Sequence, residues 1–73
     1  MANQHVVYRG HNKWAVRKEN SDRDTVVVDN QQEAFDIARE SAINQGGEVL
    51  IHGRDGKIRE RNTYKDDPYP PAG

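Results

Sequence analysis

Seventy-three residues with a net charge of −1, 33% hydrophobic and 32% charged, describe one lean domain with one core. A chain this short hides only about 60% of its unfolded surface, and a buried catalytic cleft would take much of that core, so no enzyme and no cofactor are expected. The absence of cysteine excludes disulfides, thiolate chemistry and Cys-based zinc sites, and the missing basic excess argues against strong non-specific binding of nucleic acid.

A small secreted domain usually leans on disulfides, so a reducing, cytoplasmic setting is the expectation. No apolar run approaches the roughly 18 residues of a membrane span. The opening MANQHVVYRG lacks a signal-peptide pattern, and no membrane partner is expected.

In chain order, His5-Val6-Val7-Tyr8-Arg9 is a short β-rich run and Gly10-His11-Asn12-Lys13 has turn composition. Trp14 to Glu19 then alternates, with Trp14 and Val16 on one face and Ala15 and Arg17 on the other, which completes a first hairpin. Asn20-Ser21-Asp22-Arg23 is polar turn material, and Asp24 to Val28 is a third candidate strand, β-branched through its centre. That segment suits a sheet edge or an extended loop. Asn30 with Glu33 three residues on marks a helix start, and Gly46-Gly47 marks its end, so the pattern predicts a helix from Gln31 to about Gln45. Ala34, Phe35, Ala38, Ser41 and Ala42 share one face of it, with Ile37 at the border and Phe35 as the expected main anchor.

Glu48 to about Tyr64 reads as a second hairpin closed by Asp55-Gly56, a pair that supplies the positive φ of a tight turn. With a two- or four-residue loop, Val49, Ile51, Ile58 and Glu60 share one side, while Leu50, His52, Lys57, Arg59 and Arg61 share the other. A three-residue loop would put the two arms out of step. Residues 1–64 are the expected domain and 65–73 a Pro-rich tail, since its prolines forbid a helix or an inner strand. Pro68-Tyr69-Pro70-Pro71 matches PxxP and suits a polyproline II segment.

The expected fold is α+β: an antiparallel sheet of four to five strands, in the order β-β-β-α-β-β, with one helix packed on one face. Trp14, Val16, Val26, Val28, Phe35, Ala38, Ala42, Val49, Ile51 and Ile58 are the expected core. The other sheet face must meet solvent or a partner. Function is expected there: a binding or interaction module acting on a protein partner or on itself, with Val7, Ala15 and Val27 as a row that would favour self-association.

The alternative is a nucleic-acid accessory protein using His52, Arg54, Lys57, Arg59 and Arg61, whose guanidiniums suit phosphate, with Tyr8 and Tyr64 as candidate stacking partners. Against it, Lys and Arg alternating on an exposed strand commonly serve only to keep strand edges apart. His5, His11 and His52 lack the i, i+4 spacing of a zinc site, and Asp22, Asp24 and Asp29 add no pattern, so no metal site is expected. Gly53-Arg54-Asp55-Gly56-Lys57 lacks the spacing and the following helix of a phosphate loop.

The Trp-Ala-Val strand, the Glu-Ala-Phe-Asp-Ile-Ala-Arg-Glu helix, the Asn-Gln-Gly-Gly helix end, the Ile-His-Gly-Arg-Asp-Gly-Lys-Ile-Arg-Glu hairpin and the Asp-Pro-Tyr-Pro-Pro tail follow one another in order. This resembles the domain-of-unknown-function family two-one-eight-eight, over roughly Gln4 to Gly73, with Ile51 to Glu60 the most specific part. The resemblance implies a small standalone bacterial or phage-borne protein. It implies no activity, substrate or cofactor, and no catalytic residue.

Overall fold

A computed structural model describes residues 3–64. Five strands and one helix follow in the expected order: β1 (Gln4–Gly10), β2 (Lys13–Lys18), β3 (Asp24–Val28), α1 (Gln31–Gln45), β4 (Glu48–His52) and β5 (Ile58–Thr63). The tail from residue 65 onward lies outside the described residues.

The strands form one sheet in the order β3-β2-β1-β4-β5. β1, β2 and β3 are an antiparallel meander, and β4 and β5 an antiparallel hairpin. The expectation of an antiparallel sheet needs one correction: β4 lies parallel to β1, with His5 opposite Leu50 and Val6 opposite Ile51. The reason is the helix. It carries the chain from the β3 edge back across one face, and a crossover of this kind delivers a parallel strand.

Alternation sorts the two faces. Val6, Trp14, Val16, Val49 and Ile51 point towards α1 and meet Ala34, Ala38 and Ala42, all of them buried. Tyr8, Val26, Val28, Phe35, Ile37 and Tyr64 close the rim of this core. The three alanines, four residues apart, make a flat stripe that lets α1 lie close to the sheet. Phe35 is only half-buried, so it seals a margin of the core and does not anchor its centre.

The helix ends as its sequence dictates. The Asn30 side chain accepts a hydrogen bond from the Glu33 backbone N–H at 2.7 Å, and Gly46 turns out of the helix in the left-handed conformation at φ 70°. The β1–β2 turn places His11 and Asn12 at positive φ, 52° and 61°, as a two-residue hairpin loop requires.

Ile58 departs from its expected place. Gly53 N–H donates to the Lys57 carbonyl at 2.7 Å, and Gly56 N–H to the Gly53 carbonyl at 3.0 Å, with Gly56 at φ 87°. This is a three-residue loop with a left-handed glycine, not the two- or four-residue loop that would place Ile58 with Val49 and Ile51. Ile58 therefore stands opposite His52, away from the helix, and is 53% exposed. A register shift beside Ile51 then leaves Arg59 unpaired and restores alternation, so that Glu60 faces Ile51 and Arg61 faces Leu50.

Candidate functional site

The helix-free face of the sheet carries two cross-strand rows. One runs Arg61, Leu50, His5, Arg17 and Asp24, each directly opposite the next in the strand pairing. The other contains Val7, Ala15 and Val27 in register on β1, β2 and β3. Ile58 and His52, paired on β5 and β4, prolong that row towards the other edge. Val27 is 49% exposed, whereas Ala15 and Leu50 are buried although no helix covers them.

Charged side chains stand near these two residues on the same face. Arg9 on β1 reaches Asp24 on β3 through two hydrogen bonds, Nε to Oδ2 at 3.0 Å and an Nη to Oδ1 at 2.6 Å. The pair spans the strand that carries Ala15. Its fork-on-carboxylate geometry holds the Asp24 carboxyl below its ordinary pKa, against the opposing push of burial. On the other side, Arg61 lies 3.6 Å from Glu48.

Next to Leu50 two histidines meet. His5 Nδ1 and His52 Nε2 are 3.0 Å apart, with ring centroids separated by 5.2 Å and planes tilted by 35°. Each outer nitrogen has its own acceptor. His5 Nε2 stands 3.3 Å from a Glu19 carboxylate oxygen, and His52 Nδ1 stands 3.2 Å from the Gly56 carbonyl. A four-member chain thus runs Glu19, His5, His52, Gly56 from the end of β2 to the β4–β5 loop.

The five basic positions expected to form one face do not do so. His52 and Arg61 lie on the helix-free face. Arg54 folds back over the Tyr8 ring at 5.1 Å, and an Nη sits 3.5 Å from Asn12 Oδ1. Arg59 donates to Asp55 at 3.2 Å, and its side chain fills the space into which a Cβ on Gly53 would project. Lys57 pairs with Gly53 at the loop. The cause is the three-residue loop and the shift after it, which separate neighbours that strict alternation would align. Tyr8 packs against Trp14 at the core rim, with centroids 5.0 Å apart and planes tilted by 58°, and Tyr64 also packs against the core.

His5, the long-range partner of His52, is invisible to spacing arguments because 47 residues separate the two. A β1–β4 pairing was the only signal that could have joined them. Among the described residues no group of three or more His, Cys, Asp or Glu side chains stands close enough to hold a metal ion. Nor, among those residues, is any helix long and apolar enough to cross a membrane.

Residues 4–64 match a family described as "Uncharacterized protein conserved in bacteria (DUF2188)". The uncharacterised protein YdaT of Bacillus subtilis (strain 168) is 36% identical over 59 residues, which cover 80% of this chain and 38% of that protein. The chain thus spans well under half the length of this relative. No solved structure matches it.

Proposed function

The chain belongs to the uncharacterised bacterial family DUF2188, and we propose that it is a non-enzymatic binding module whose docking surface is the helix-free face of the sheet. The observation that carries this reading is the in-register row Val7, Ala15 and Val27, prolonged by Ile58, on a face that no second layer covers among the described residues. Val27 and Ile58, each about half exposed at the two ends of this row, suit burial against another protein surface.

The favoured partner is a second copy of the chain. Arg9, Arg17 and Arg61 stand on this face with Glu19, Asp24 and Glu48. Three guanidiniums and three carboxylates leave two such faces free to meet without net repulsion, and they can exchange ion pairs across the contact.

Nucleic acid is the weaker reading, because Arg9, Arg59 and Arg61 already have carboxylate partners and Arg54 lies on Tyr8. Sedimentation velocity separates the two readings. The wild-type chain should associate in a concentration-dependent manner, and Val27→Glu should sediment as a monomer. An equally associating Val27→Glu variant, or a monomeric wild type that binds oligonucleotides with steep salt dependence, contradicts the proposal.

A further inference from the structure

We propose that His5 and His52 act as one proton-operated clasp that ties the end of β2, through β1 and β4, to the loop of the second hairpin. The inference stands apart from the docking reading and rests on counting hydrogens. Three contacts run along the chain: His5 Nε2 to Glu19 at 3.3 Å, His5 Nδ1 to His52 Nε2 at 3.0 Å, and His52 Nδ1 to the Gly56 carbonyl at 3.2 Å. Each is a hydrogen bond only when one hydrogen lies in it, and the Glu19 carboxylate and the Gly56 carbonyl can only accept. Two neutral imidazoles carry one N–H each, two hydrogens for three contacts. A third, taken from solvent, completes the chain as an imidazolium bonded to an imidazole, with the Glu19 carboxylate set against the charge. The His5 and Glu19 side chains are 17% and 44% exposed, so solvent reaches them.

The neutral pair therefore leaves one contact as two acceptors face to face. The bridge between the rings keeps its hydrogen. Of the outer contacts, a bare lone pair against the Glu19 carboxylate costs more than one against a neutral carbonyl. His52 thus lets go of Gly56, and the loop is the end that opens. A fourth hydrogen sets two cationic N–H donors head-on and breaks the bridge instead. All three contacts close together only while the pair holds a single net charge. Ordinary imidazoles change charge between about pH 5 and 8, so the clasp works in that range.

Other charges face the pair from each neighbouring strand. Arg17 stands opposite His5 on β2, and Asp24, held by Arg9 of β1, lies beyond it on β3. Past Leu50, Arg61 of β5 pairs with Glu48 of β4. In the loop, Lys57 follows Gly56, and Arg59 binds Asp55.

The test is a pH titration of the isotope-labelled full chain, from alkaline to acid, read by NMR of the imidazole nitrogens. We expect His5 and His52 to titrate as one unit in two steps, while His11, on the β1–β2 turn, titrates alone in one. In the first step His52 Nδ1 should gain its proton, and the Lys57 amide, joined to the Gly56 carbonyl, should shift with it. His5 Nε2 should stay protonated throughout. A scalar coupling through the bridge between His5 Nδ1 and His52 Nε2 should persist until the second step removes it. Glu19→Gln should move the first step to lower pH by about half a pH unit or more. Independent single steps for His5 and His52, no coupling at any pH, or a Lys57 amide that ignores the first step overturns the clasp. A folded Glu19→Gln variant that titrates as the wild type does also overturns it, and the wild-type spectra decide by themselves if that variant fails to fold.

Discussion

Asp24 is the side chain on which the helix-free face most visibly depends. Its carboxylate takes both arms of the Arg9 fork across the width of β2, and that hydrogen bonding depresses its pKa. A depressed carboxyl contributes stability that is present above its unfolded value, near 3.8, and is lost as the pH falls through the lower folded value. The pair is partly solvated, with 41% of the Arg9 and 24% of the Asp24 side chain exposed, so the gain is about 1 kcal/mol or less. Urea titrations at neutral and acid pH should find Asp24→Asn slightly weaker at neutral pH and the difference gone at the acid end. A constant difference across that range would mean that the ion pair is not its source.

At the scale of elements, the alanine stripe of α1 sets the distance between helix and sheet. Ala38 is fully buried between two other buried alanines, so Ala38→Leu should overpack the interface and cost about 1–3 kcal/mol in denaturant unfolding. A neutral result would mean that the helix rides higher on the sheet. The loop of the second hairpin depends on one backbone conformation. Gly56 sits at φ 87°, and Gly56→Ala should cost about 1–2 kcal/mol even though open space surrounds the missing Cβ.

These elements also explain what the sequence could tell. The helix bounds were legible because Asn30 and Gly46 are chemical stop signs, and five strands were legible from alternation and β-branching. The β1–β4 partnership was not, since a parallel pair joined by a crossover leaves no local mark. The facing of Ile58 failed for a narrower reason: Asp55-Gly56 announces a tight turn without fixing its length, and one residue more or less flips the whole arm. The basic face dissolved with it. The unmarked β1–β4 partnership also hid the His5–His52 pair, because the two residues converge only once β1 and β4 are known to be neighbours.

At the scale of the whole molecule, one helix covers one face of the five-stranded sheet among the described residues, and the other face carries the Arg9–Asp24 and Arg61–Glu48 pairs. Among the described residues neither edge strand is paired on its outer side: β3 is short and presents Val27, while β5 carries Arg59, Glu60 and Arg61, charges that discourage edge-to-edge pairing. An apolar row flanked by ion pairs is the surface that the proposed self-association would use. The most direct measurement is a 15N–1H NMR dilution series of the wild-type chain in isotopically labelled form. Concentration-dependent shifts confined to Val7, Ala15, Val27, Leu50 and Ile58 are the predicted result. Shifts on the outer side of α1 around Arg39 and Ile43, or none at any concentration, would contradict the account.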